Sequence, residues 1–184
     1  MIRVLPLPTG DKLVPPGKFF EPVWWRLGES VWLAGGAVVR WLEGAKDIGD
    51  GDFDLWGPHP EAITFGDSLA ERQSEMSTTY DVNGAKVQVI KRPYNGLTEV
   101  LESFDFTVRM AGTDGKHLFV GQTTLRDMAN KKIVRNPTGN FSINVTSLYG
   151  MLKYGNRGYR IDYGEARNML SAWGVPDTLL KEGY

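Results

Sequence analysis

Two acids set two residues apart are the strongest chemical signal in the chain. In Asp52-Phe53-Asp54-Leu55 the period-two alternation of a strand puts both carboxylates on one face and turns Phe53 and Leu55 toward a core. Hard divalent cations take carboxylate oxygens, so Asp52 and Asp54 are candidate ligands for Mg²⁺ or Mn²⁺. Asp50 alternates in phase with them and reads as a solubilising loop residue. Upstream, Gly35 and Gly36 follow an apolar run and precede a segment of helical pattern, so bare backbone N–H groups would stand where a phosphate is favoured. A cation site and a phosphate cradle within one chain reversal, residues 31–56, suit a nucleoside triphosphate.

These residues need particular elements to hold them. Residues 31–34 read as a buried strand. Residues 37–42 read as a helix with Val38, Trp41 and Leu42 on its apolar face and Arg40 on the other. The acidic strand, 53–56, is stopped by Gly57-Pro58-His59-Pro60. A helix is expected over 61–76 with Leu69 inward, then a hairpin of 76–82 and 85–90 around Asn83-Gly84. Residues 97–101 read as a short helix, 104–110 as a strand, 113–116 as a turn with its return strand at 117–120, and 123–130 as a helix. Beyond a break at 137–140, two helices are expected over 143–157 and 163–173. Residues 1–20 hold four of the ten prolines and read as an extended arm, and the aromatic run 19–27 as a helix or arm packed on the core, with base stacking on Trp24 or Trp25 as the alternative. The fold class is α+β, a small mixed or antiparallel sheet backed by helices. The expected division is a head over 1–137 with its N-terminal arm, and a short helical neck-like segment over 138–184.

Composition narrows the chemistry. The 184 residues contain no Cys and only two His, at 59 and 117, which excludes disulfides and thiolate metal sites and disfavours a zinc site built on His. A chain this long buries about 70% of its unfolded surface, enough for one core without staples. No apolar run is long enough to span a membrane and the N-terminus lacks a signal peptide's core, so the reading is a soluble, cytoplasmic protein with no membrane partner. Net charge is −1, yet residues 43–54 hold five acids and one Lys, whereas 116–161 hold eight Lys or Arg and one acid, Asp127. An acidic pocket facing a basic shelf suits a triphosphate and a nucleic-acid end; a solvated basic face is the plain alternative.

The stretch 31–56 resembles the head of the DNA polymerase beta superfamily of nucleotidyltransferases, and specifically the class II tRNA CCA-adding and bacterial poly(A) polymerase branch. That branch has a Gly-Gly-x-x-Arg-Asp helix followed by an Asp-x-Asp strand. Three further blocks keep its order: Phe104-Asp105-Phe106-Thr107-Val108-Arg109-Met110-Ala111, then Leu125-Arg126-Asp127-Met128 through Ile133-Val134-Arg135, then Gly158-Tyr159-Arg160-Ile161-Asp162. Together they cover about residues 30–165. The resemblance implies a metal-dependent enzyme moving NMP from an NTP to a hydroxyl, with an RNA 3′ end as the expected acceptor.

Site roles follow from it. Asp52 and Asp54 are the metal and catalytic acids, and Asp105 is either a third catalytic acid or a hydrogen-bonded structural one. Gly35 and Gly36 meet the triphosphate with a cation from Arg40, Lys46 or Arg109. Lys131, Lys132, Arg135, Lys153, Arg157 and Arg160 form the nucleic-acid shelf. The sequence also departs from the family. Val39 stands where the family has Arg, with Arg40 one residue later; Ser103-Phe104 replace its paired arginines; and 142–149 shows nothing like the Glu-Asp-x-x-Arg element that reads CTP and ATP. CCA addition is therefore not expected. Two rivals stand beside RNA tailing: a toxin-, antitoxin- or antibiotic-type transferase modifying a protein or small molecule, and an inactive nucleotide-binding remnant.

Overall fold

One mixed sheet of eight strands carries the acids and the glycines on neighbouring strands. The computed structural model describes residues 1–8, 13–66, 68, 70–139, 145–161 and 163–172. The elements run β1 (Ile2–Pro6), α1 (Pro16–Phe19), α2 (Glu21–Trp24), β2 (Trp32–Ala34), α3 (Gly36–Leu42) and β3 (Phe53–Trp56). A 3-10 turn (Pro60–Ala62) leads to β4 (Ala70–Gln73), the hairpin of β5 (Ser77–Val82) and β6 (Ala85–Ile90), and α4 (Leu97–Glu102). A second 3-10 turn (Thr107–Arg109) precedes β7 (Ala111–Thr113), β8 (His117–Gly121), α5 (Thr124–Ala129) and β9 (Lys132–Ile133); α6 (Val145–Gly155), β10 (Arg160–Ile161) and α7 (Tyr163–Ala172) follow. The sheet order is β1-β8-β7-β2-β3-β6-β5-β4, and β9 pairs with β10 separately. Only β3 with β6 is parallel in the large sheet; its other pairs are antiparallel.

Strand alternation sorts side chains into two cores. Leu33, Phe53 and Leu55 are buried with Phe20, Val38 and Trp41 on one face, where Phe20 meets the Trp41 ring edge-on at 5.3 Å. Trp32 and Ala34 point the other way and pack with Tyr94, Leu97, Val100 and Leu101 of α4 and its approach. Each fully buried Leu or Phe contributes about 1.5–3 kcal/mol, so the fully buried Phe53 and Leu55 fix which way Asp52 and Asp54 face. The Trp41 indole donates to the Val14 carbonyl at 2.7 Å, tying the segment before α1 to α3.

Four expectations change. The extended arm expected over 1–20 is built into the fold: β1 pairs with β8 at the sheet edge, from Ile2 opposite Gly121 to Pro6 opposite His117, and α1 begins at Pro16. In place of a helix over 61–76 there is a 3-10 turn and the edge strand β4, because Ile63 and Phe65 bury two residues apart, in strand rather than helix period; Leu69 lies outside the described residues. The strand expected over 104–110 is instead a 3-10 turn running into β7, since Phe106, Thr107 and Val108 all bury in sequence against different neighbours. The helix expected over 143–157 ends earlier, at Gly155, and Gly158 at φ +81° turns the chain into β10; its first two expected residues, 143 and 144, lie outside the described ones.

Candidate active site

A small cavity of about 160 Å³ brings together residues from four distant parts of the chain. Gly35 and Gly36 come from the β2–α3 junction, Asp52 and Asp54 from β3 and the residue before it, Phe104 and Arg109 from either side of Asp105, and Lys153, Tyr154 and Arg157 from α6 and its end. The register explains the meeting of glycines and acids: β2 and β3 are antiparallel neighbours with Leu33 opposite Leu55, so the end of one strand meets the start of the other. Gly35 is required there. Its φ of +89° suits glycine, its N–H donates to the Ala111 carbonyl at 2.8 Å, and a Cβ would stand 3.4 Å from the Phe104 ring and 3.9 Å from an Asp54 carboxylate oxygen. Because α3 has only seven residues, what it offers an anion is local backbone N–H groups and little macrodipole.

The two acids differ. Asp52 accepts a hydrogen bond from the Gln88 amide of β6. Asp54 has no side-chain hydrogen bond among the described residues. Burial, and then the charge of Asp52, push its carboxyl up to about 7, against the opposing pull of Arg109 and Lys153. Two crowded carboxylates, one without a hydrogen-bond donor, make a donor set that a hard dication fits, with phosphate and water oxygens completing its shell. Among the described residues no three Asp, Glu, His or Cys side chains gather at one point, so the set here is a pair.

Asp105 does not join that pair. It is 8% exposed, and both its carboxylate oxygens accept from Arg109 Nη1, at 3.0 and 3.1 Å. The two residues are four apart across the 3-10 turn, where alternation along one strand was expected. Burial works against the Arg109 charge, but Asp105 outweighs it and keeps the guanidinium firmly protonated. Arg109 lies under Gly150 of α6, where a Cβ would fall 2.7 Å from Nη2, and its guanidinium is 5.8 Å from the Tyr154 ring.

The other expected cations divide. Arg40 turns to the loop before β3, with Nη1 3.9 Å from Asp50 and Nη2 3.1 Å from where a Gly49 Cβ would be, and Lys46 is exposed; neither lines the cavity. Of the six shelf residues, Lys153 and Arg157 line the acid cavity. Lys131 reaches Glu43 at 2.5 Å and Arg157 also pairs with Glu43, while Lys132 and Arg160 are exposed across the β9–β10 pair and Arg135 makes an isolated bridge to Phe106. The shelf is therefore not one free basic face. Sequence reasoning missed Glu43, Phe104, Tyr154 and Tyr159. Glu43 finds its partners 88 to 116 residues away, and no local pattern signals that.

Phe104 and Arg109 also form the wall of a second cavity of about 570 Å³. Trp56, next on the acid face of β3, lines it with Tyr94, Arg92, Glu99 and Glu102. The Trp56 ring meets Phe104 at 5.7 Å and Tyr94 at 5.5 Å, both edge-on, and its buried indole N–H has no hydrogen-bond partner among the described residues. The volume is in the range of small-molecule sites.

The fold is similar to that of solved CCA-adding enzymes. The Thermotoga maritima CCA-adding enzyme complexed with tRNA superposes with a TM-score of 0.61 at 20% identity, over 88% of this chain and 43% of that one. A tRNA-processing enzyme in its apo form gives 0.63 at 19% identity over 88% and 48%, and the Bacillus stearothermophilus CCA-adding enzyme in complex with CTP gives 0.60 at 16% over 86% and 43%. The chain thus spans less than half the length of these proteins. The model of the Gad2 family, Gabija anti-defense 2 family protein, matches residues 17–131, and the chain belongs to that family. No curated protein matches it by sequence.

Proposed function

We propose that the protein is a metal-dependent nucleotidyltransferase that moves NMP from an NTP to a hydroxyl acceptor. The observation that carries this is the convergence of Asp52 and Asp54 with Gly35, Arg109, Lys153 and Arg157 on one cavity. Asp52 and Asp54 would hold Mg²⁺ or Mn²⁺, which when bound supplies charge for the attacking hydroxyl and the leaving pyrophosphate. The chain's own groups do the rest. Gly35 and Gly36 leave room for the polyphosphate, while Arg109, Lys153 and Arg157 neutralise it. The acceptor oxygen forms the new bond to the α-phosphorus, the bond to the β-phosphate oxygen breaks, and the hydroxyl proton leaves to a nearby carboxylate or water. Asp105 acts through Arg109, holding it toward the cavity. The adjoining larger cavity gives the nucleoside or acceptor a place beside the reacting phosphate. We take residues 1–137 as the catalytic head and 138–184 as its neck-like segment.

For the acceptor, the likeness to an enzyme complexed with tRNA supports an RNA 3′ end. A protein or small-molecule hydroxyl is the second reading. The larger cavity is lined by Glu99 and Glu102 and by none of the six shelf cations, and the family's anti-defense name fits modification of another component. Incubation of purified protein with Mg²⁺ and each α-labelled NTP, against total RNA, total protein and small metabolites, tests both. Label is expected in one acceptor class with release of pyrophosphate, falling to background in Asp52→Asn/Asp54→Asn. Transfer that persists in that double variant contradicts the proposal.

A further inference from the structure

At the C-terminal end of α3, Glu43 is the hub of a cluster that draws in three residues from much later in the chain. Its side chain is 17% exposed and both oxygens are engaged. Oε1 accepts from Lys131 Nζ at 2.5 Å and from the Tyr159 hydroxyl at 2.7 Å, and Oε2 pairs with Arg157 Nη2. These partners come from the turn after α5, from the approach to β10 and from the end of α6. The turn is itself forced: Lys131 sits at φ +51°, and its carbonyl accepts from the Arg160 N–H at 2.8 Å. Tyr159, buried, keeps its proton well past neutrality because burial pushes the phenol up to about 12, so it is a donor to Glu43. The Lys131 ammonium is 4.4 Å from the Tyr159 ring centre. The Arg157 guanidinium lies 4.7 Å from Tyr154 and 5.9 Å from Tyr159, whose rings meet edge-on at 5.0 Å.

We propose that Glu43 is a positioning residue of the nucleotide site, fixing Arg157 at the rim of the acid cavity so that its free guanidinium N–H groups meet the polyphosphate of the bound NTP. This rests on the nucleotide reading above and extends it to a residue that does not line the cavity. Among the described residues Arg157 is the one that both lines the cavity and pairs with Glu43. An arginine carries five donors in a rigid fork, so the pairing with Glu43 leaves others for phosphate oxygens. The cluster is one negative charge against two positive ones, so it keeps a net positive charge for an anion. Pinning the guanidinium beforehand removes the ordering cost that a long, free side chain brings to binding.

The test is binding of inorganic tripolyphosphate by calorimetry at low salt, on the whole chain. Glu43→Gln removes a negative charge, which alone would tighten an anion; positioning predicts the opposite, about tenfold weaker binding. Arg157→Ala is expected to weaken binding at least as much, and Glu43→Gln/Arg157→Ala no further than Arg157→Ala, because Glu43 acts through Arg157. Glu43→Asp keeps the charge but falls one methylene short, and is also expected to weaken binding. Circular dichroism checks that each variant folds. Unchanged or tighter binding in both Glu43 variants, or losses that add in the double variant, overturns the assignment of Glu43 while leaving the nucleotide reading intact. Absence of tripolyphosphate binding by the unaltered protein overturns both.

Discussion

At the scale of single residues, the acid pair and the Gly35 bend are written in local pattern, and the placement of the cations beside them is not. Asp52 and Asp54 follow from alternation with Phe53 and Leu55, which needs only neighbours. Arg109 needs a 3-10 turn, Asp105 and a glycine on α6 to reach the cavity, and those meet only in the folded chain. Gly150→Ala isolates that last contact. Alanine favours a helix interior over glycine by about 1 kcal/mol, but here its methyl would press on a guanidinium already held by Asp105. The variant is expected to melt no lower than the parent while transfer activity falls about tenfold or more; equal activity with equal stability would show that Arg109 is not held by this packing. Gly35→Ala is expected to cost about 1–3 kcal/mol in chemical denaturation, from the positive φ alone.

At the scale of elements, the Asn-Gly hairpin and the short helices expected over 37–42, 97–101 and 123–130 were legible, while the path of residues 61–76 and 104–110 was not. An apolar residue every second or third position fits either period until its partner strand is known, and β4 and β7 are settled by pairing with β5 and with β2 and β8. The turn that presents Arg109 depends on α5. Asp127, buried to 2%, accepts from the Thr107 and Thr123 hydroxyls at 2.8 and 2.6 Å and from Arg126, and the Thr124 hydroxyl donates to the Thr107 carbonyl at 2.7 Å. Asp127→Ala strands those donors and is expected to cost about 2–3 kcal/mol in denaturant unfolding. A second element carries a pH signature. Burial opposes the charge of Asp114 in the β7–β8 turn, but the Lys116 and His117 N–H groups and the His117 ring outweigh it and hold the carboxyl below its usual range. A depressed folded value means stability present above the unfolded value and lost as pH falls through it and below. Asp114→Asn is therefore expected to melt lower than the parent at neutral pH, by about 1 kcal/mol, with the gap closing below about pH 4. A gap that stays constant down to acid pH would show that the Asp114 charge is not what secures the turn.

At the scale of the whole molecule, order of blocks along the chain carried the fold, because β2, α3 and β3 must close a single reversal for the glycines and acids to meet. What order could not carry is how the C-terminal segment sits: α6 turns Ser147, Gly150 and Tyr154 inward and leaves Val145, Leu148, Tyr149 and Leu152 exposed, the reverse of what apolar periodicity alone implies. That placement converts two residues of the expected shelf, Lys153 and Arg157, into the cationic wall of the acid cavity. Among the described residues no helix is long and apolar enough to cross a membrane. The central claim is that Asp52 and Asp54 together hold a divalent cation against a nucleotide. Electron paramagnetic resonance of Mn²⁺ titrated into the protein with ATP measures this without needing the acceptor. The account predicts saturable, ATP-dependent Mn²⁺ binding that disappears in Asp52→Asn/Asp54→Asn; Mn²⁺–ATP bound equally by the parent and that variant would contradict it.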